Sequence, residues 1–317
     1  MSQNRTQSPN SPEEDSGTPP PNVENSLHLQ ADSQDETSRR AVAKIRDQLL
    51  EQIDNDTIQI PTLPEIALSI RDVCSSDDAT IKDVSNIIEK DPGIAARVIK
   101  VANSPLFRGS QTIDNLSMAT SRLGMRYTAN YVTGVAMQQI YQPQHRVIET
   151  FMHDVWERSA IIAASATVVA GQDSRFSREQ STLAGLTHLI GMLPLLLFAE
   201  KDEGLRSDIE LLSTAMHRIH GELGSMILYQ WDFPPEIAEV PILYNDPDRS
   251  CTDACYADVI SVAYSHCVDA DQITVPWVAP NQITAAHHRL NMQEFESESE
   301  QQSLVEHIEL TAAAFAA

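Results

Sequence analysis

The sequence predicts an all-α protein, and three observations carry that prediction. Apolar residues recur at helical spacing through helix-sized runs, Gly, Pro and Asp-Pro signals punctuate those runs, and no segment shows the alternation of a half-buried strand. With 317 residues, 42% of them hydrophobic, the chain is long enough for one large domain or two modest ones.

The elements follow in order. Residues 1–38 are rich in Ser, Pro, Asn, Gln and acid and hold few large apolar side chains, so a disordered acidic tail is expected there. A lead-in helix over 39–55, starting near Ser38, is expected from Ala41, Ile45, Leu49 and Ile53 on one face. Pro64 to Cys74 reads as one helix, and Thr80 caps a second that carries Ile81, Val84, Ile87 and Ile88. Asp91-Pro92 is a strong start signal for a helix with Ile94, Ala95, Val98, Ile99 and Ala102, which Asn103-Ser104-Pro105 ends. Leu116 to Leu123 stops at Gly124, and a longer helix runs from about Arg126 to Tyr141. A second set is expected over about 147–170, 178–200, 207–230 and 235–243, with a sharp corner at Trp231-Asp232-Phe233-Pro234-Pro235. Residues 252–268 and 301–315 read as helices, and His287-His288 as surface loop.

Charge and composition exclude several classes. Lys+Arg total 22 against 45 Asp+Glu, a formal charge of -23, which repels nucleic acid and anionic membrane at long range. Met1 to Gln7 shows no basic segment leading into an apolar run, so no secretory leader and a cytoplasmic location are expected. The longest apolar stretch, Leu183 to Ala199, is interrupted by Gly185, His188, Gly191 and Pro194 and reads as buried core instead of a membrane span. The cysteines Cys74, Cys251, Cys255 and Cys267 suggest reduced thiols. Cys251, Cys255, His266 and Cys267 make a weak zinc pattern, which core packing explains better. No GxxxxGK, GxGxxG or GxSxG motif occurs.

Several motifs, in order, carry a family resemblance. They are Ile60 to Pro64, Ile88-Glu89-Lys90-Asp91-Pro92-Gly93 with Ala102-Asn103-Ser104-Pro105, Leu123-Gly124, Trp156-Glu157-Arg158-Ser159, Ala184 to Gly191, His220-Gly221-Glu222-Leu223-Gly224, and Trp231 to Pro234. Together they resemble the HDOD domains, catalytically reduced relatives of HD phosphohydrolases found in bacterial signalling proteins. The resemblance covers roughly residues 56–255, with 256–317 left as a C-terminal helical extension. It implies a helical HD-like core with an additional N-terminal helical lobe and a regulatory role.

An HD metal site needs a His, an adjacent His-Asp pair and a late Asp on three helices, because a hard divalent ion wants converging N and O donors. By the resemblance, those places fall on Arg158, on His188 and Leu189, and near Tyr264. Guanidinium and aliphatic groups offer no lone pair. No cofactor and no metal is therefore expected, and the chain is expected not to be an enzyme. The alternative is a residual metal-dependent phosphohydrolase or nucleotide-binding sensor built on His188, with His220 and His217 as neighbours.

A second candidate region reverses the overall charge. From Pro92 to Ile148 the sequence holds Arg97, Lys100, Arg108, Arg122, Arg126 and Arg146 against a single acid, Asp114. Arg97, Lys100, Asn103, Arg108, Arg122 and Arg126 are candidate binding residues, for an acidic signalling partner or for a phosphorylated or cyclic-nucleotide ligand in the groove between the lobes. Dispersal over several helices as solvating charge is the plainer reading, and Asn103 as a helix cap has equal standing.

Overall fold

A computed structural model describes residues 23–316 apart from 56, 59, 61, 141–142, 247–248, 250–252, 267–284 and 293–297. The described residues hold sixteen α-helices and no strand: α1 (Val23–Asp54), α2 (Glu65–Cys74), α3 (Ile81–Ile88), α4 (Pro92–Ala102), α5 (Leu116–Leu123), α6 (Met125–Ala136), α7 (Arg146–Ala170), α8 (Arg178–Thr187), α9 (Met192–Lys201), α10 (Glu203–Ser207), α11 (Ile209–Gln230), α12 (Pro235–Ala238), α13 (Val240–Leu243), α14 (Tyr256–Ser265), α15 (Ala285–Arg289) and α16 (Glu298–Ala316). The chain divides into two units, Met1–Ala41 and Val42–Ala317. In the first, the described residues continue as helix, with Arg40 paired to Glu36 one turn away at 2.5 Å.

Local capping sets the helix starts. Thr80 and Asp83 form a reciprocal capping box at the start of α3, and Asp91 accepts from the Ile94 amide with Pro92 in the first turn of α4. Asn115 and Ser177 cap α5 and α8 in the same way. Gly124, at φ +84, makes the junction between α5 and α6 in a conformation that an L side chain rarely adopts.

Several expected elements begin or end elsewhere; the helix expected to reach Tyr141 ends at Ala136, and the one expected over 235–243 is the two short helices α12 and α13. Helix α1 starts at Val23, well before Ser38, and Leu27, Leu29, Gln30, Ala31, Gln34 and Glu36 are competent helix formers. Of the face expected from periodicity, Ile45 and Leu49 are buried while Ala41 and Ile53 are half-buried, and Val42, outside that face, is buried as well. The single helix expected over 178–200 is instead α8 and α9, joined by residues 188–191 through short-range bonds such as Met192 N to Leu189 O at 2.9 Å. Pro194 has no amide to give to a continuous helix, but it sits without cost in the first turn of α9. The apolar segment Arg178–Lys201 is long enough by composition to cross a membrane, yet 94% of its window is buried inside the protein. The loop expected at His287-His288 is also corrected: both residues lie in α15, and His287 is buried, with Nε2 at 3.1 Å from the Ser265 hydroxyl. The first 22 residues, with most of the expected tail, and Cys251 and Cys267 of the zinc pattern lie outside the described residues.

Two glycines bring the central helices together. A Cβ at Gly185 would lie 2.4 Å from the Ala163 Cα, so α8 crosses α7 backbone to backbone. A Cβ at Gly191 would fall 1.9 Å from the His220 carbonyl oxygen, so the α8–α9 turn rests directly on α11. α14 packs against α7, α8 and α13, which makes it part of the same core.

Candidate functional site

Residues from five helices meet in one buried cluster. Arg158 comes from α7, His188 and Leu189 follow α8, His220 comes from α11, Tyr244 follows α13, and Tyr264 comes from α14. All six are less than a tenth exposed, and His188 is fully buried. The structure therefore brings together every residue assigned to the HD-type centre.

Each imidazole is committed on both edges. His188 Nδ1 donates to the Gly185 carbonyl at 2.7 Å, which leaves Nε2 as the acceptor for the Tyr264 hydroxyl, also at 2.7 Å. His220 repeats the pattern: Nδ1 donates to the Met216 carbonyl at 2.8 Å, and Nε2 accepts from the Tyr244 hydroxyl at 2.9 Å. Tyr244 and Tyr264 stack at 5.5 Å between centroids, and His188 meets both rings edge-on. The Arg158 guanidinium sits 5.9 Å from the Tyr264 ring centre.

This environment holds the imidazoles neutral. Burial pushes His188 down to about 3, with His220 and Arg158 adding to the shift and the Gly185 bond opposing it. Burial likewise pushes His220 down to about 4. Tyr244 is raised, by burial first and then by Tyr264.

The divalent ion that an HD-type fold implies does not fit these residues. Each Nε2 lone pair, the natural metal donor, is taken by a tyrosine hydroxyl, Leu189 brings methyl groups, and Arg158 brings a positive charge. No group of three or more His, Cys, Asp or Glu side chains able to hold a metal occurs among the described residues.

The nearest carboxylate on α14, Asp258, has a different task. It is fully buried and is clasped by Arg249 and by Arg289, whose Nη2 lies at 2.6 Å, while its second oxygen accepts from the Cys255 amide at 2.8 Å. Neither this clasp nor the part of Tyr244 was foreseen from sequence. An arginine 31 positions away in the chain leaves no local signal.

The candidate basic residues do not form one free face. Asn103 receives the Ile113 amide at 2.9 Å and donates to the Ile99 and Ile113 carbonyls, so its amide closes the loop after α4. Arg122 braces the same loop through the carbonyls of Ala102 and Gln111. Arg97 donates to Gln138, and Lys100 to the Ala313 carbonyl at 2.8 Å. Arg108 and Arg126 are exposed.

The protein is thus an all-helical one whose core closes over a buried cluster of paired His and Tyr side chains. The HDOD domain family matches residues 60–247, and the chain belongs to that family. Among solved structures it is similar to a Shewanella amazonensis protein named "Putative metal-dependent phosphohydrolase", at 27% identity and TM-score 0.74, over 87% of this chain and 99% of that one. It also shares its fold with an HDOD domain protein of unknown function from Geobacter sulfurreducens, at 18% identity and TM-score 0.64, over 86% of this chain and 98% of that one. A third, a "Putative signal transduction protein" from Marinobacter aquaeolei, matches at 21% identity and TM-score 0.62, over 87% of this chain and 66% of that one. No curated protein matched the sequence.

Proposed function

We propose that this chain is a cytoplasmic, non-catalytic regulatory protein that works through contacts with signalling proteins. The observation that carries this reading is the state of His188, whose two ring nitrogens are bound to Gly185 and Tyr264 where hydrolysis needs an open donor and an activated water. A regulatory role also agrees with the name of the Marinobacter aquaeolei structure. Lys100, Arg108 and Arg126 are the exposed cations of the candidate set; Lys100 is bound to the Ala313 carbonyl, and Arg108 and Arg126 are the natural contacts for an acidic partner.

A second reading, residual phosphohydrolase activity, is favoured by the likeness to the Shewanella amazonensis protein that bears that name. Metal analysis of the purified protein, with hydrolysis assays on cyclic dinucleotides and phosphomonoesters, separates the two. The regulatory reading expects neither stoichiometric metal nor turnover. Metal and turnover that both disappear in His188→Ala would overturn it.

A further inference from the structure

We infer that the face built by α4, α6 and α7 is a helix-binding groove, and that α16 is its resident occupant, displaceable by a partner helix of the same pattern. The inference rests on the reading of this chain as an interaction module and names the surface.

α16 lies beyond residue 247, where the family match ends, yet it runs along α7 and reaches α4 inside the matched segment. Its seat is one broad face. Ile308, Thr311, Ala312 and Phe315 are buried at the spacing of a helical stripe, with Ala314 buried at its edge, whereas Glu306, His307, Glu309 and Leu310 face outward, Leu310 at 59% exposure. Small side chains dominate the contact, and Phe315 is its aromatic anchor, 5.3 Å from the Tyr131 ring of α6. Lys100 of α4 donates to the Ala313 carbonyl at 2.8 Å, a cation placed on the last turn of the docked helix. These features specify an amphipathic helix with a small-residue stripe, a terminal aromatic and open carbonyls at its C-terminal end.

The fit is incomplete in a way that favours exchange. The Tyr131 hydroxyl and the Thr311 hydroxyl are both buried without a hydrogen-bond partner, one on each side of the contact. Polar groups left unsatisfied weaken a docked state, and both regain water when the helix leaves. Tethering in cis keeps such a weak occupant in place until a competing helix arrives.

Hydrogen exchange on the full chain, combined with binding of a fluorescent peptide spanning residues 298–317, tests this. Amides of 305–316 should exchange at least about a hundredfold faster than those of buried α7, since the helix opens locally. Lys100→Ala, at an exposed position that empties no core, should speed exchange in α16 and leave α7 unchanged. The peptide should bind full-length Phe315→Ala at least about tenfold more tightly than the unaltered chain, whose own helix competes, and a peptide carrying Phe315→Ala should not bind. Equal protection of α16 and α7, or a peptide that fails to bind a folded Phe315→Ala protein, overturns the inference. If Phe315→Ala does not fold, the same comparison is made with Lys100→Ala. Either result leaves the metal and hydrolysis assays untouched, so failure here is distinct from failure of the regulatory reading.

Discussion

Acidification should destabilise this protein through its two central imidazoles. Burial holds His188 at about 3 and His220 at about 4, against an ordinary value of 6.5 that the unfolded chain regains. Both folded values are depressed, so above pH 6.5 the two states are equally neutral and no effect is felt. Below that, the unfolded chain takes up protons that the folded chain refuses, and stability falls with pH until about 4 for His220 and about 3 for His188. At about pH 5 the gap from 6.5 is about 1.5 units for each group, or about 2 kcal/mol per histidine and about 4 kcal/mol for the pair. That is a large share of the roughly 5–15 kcal/mol of a typical domain. Urea titrations at about pH 7.5 and about pH 5 measure the loss. In His188→Gln/His220→Gln, which keeps hydrogen-bonding groups but cannot titrate, about 4 kcal/mol of it should vanish. Some slope should remain, since burial also pushes His266 down to about 4. Equal losses in the variant and the unaltered protein would refute the argument.

Three further outcomes follow from the packing. Leu189→Asp places a carboxyl at a position 1% exposed, beside His188; it should cost about 3 kcal/mol or more in denaturant unfolding, and elemental analysis should find no gained metal, because Arg158 and Tyr264 remain. Gly185→Ala drives a methyl group to within 2.4 Å of the Ala163 Cα; calorimetry should show a lower Tm, corresponding to about 1–3 kcal/mol, and an unchanged Tm would mean that α7 and α8 separate freely. Asp258→Asn leaves Arg249 and Arg289 facing a neutral amide; the loss should be about 3–5 kcal/mol by urea titration, with the largest gain in hydrogen exchange at the start of α14.

What could be read from sequence was what neighbours along the chain decide. Thr80, Asp91, Asn115 and Ser177 each meet an amide three residues on, so their residue types mark the helix starts without knowledge of the fold. The break at 188–191 has another origin, the rest of the turn against α11 at Gly191, and Pro194 was its one local trace. His287 reads as surface because it stands in a polar run, and Ser265, 22 residues away, draws it inside. Asn103 shows how close the two outcomes lie: a residue suited to capping or to ligand contact spends its amide on Ile99 and Ile113. Only the family resemblance pointed to Arg158, Leu189 and Tyr264, which the fold gathers in one cluster, and nothing near Tyr244 in the sequence hints that its hydroxyl reaches His220.

That missing residue explains how the centre can do without an ion. A metal bound by side chains from several helices ties them together, and its binding energy becomes folding energy. Here the ties are hydrogen bonds and ring contacts across the same gaps: His188 to Tyr264 joins α8 to α14, His220 to Tyr244 joins α11 to α13, and the stacked tyrosines join the two pairs. Each bond is weak beside a metal–ligand bond, but it lies where water is excluded and both partners are satisfied, the condition under which buried polar networks hold a fold in one arrangement. The arrangement needs neutral histidines and protonated tyrosines, and burial enforces both by lowering His188 and His220 and raising Tyr244. The bonds that occupy the His188 and His220 ring nitrogens are thus the ones that join these helices, so that the packing of the core and the closing of those donors rest on the same four rings.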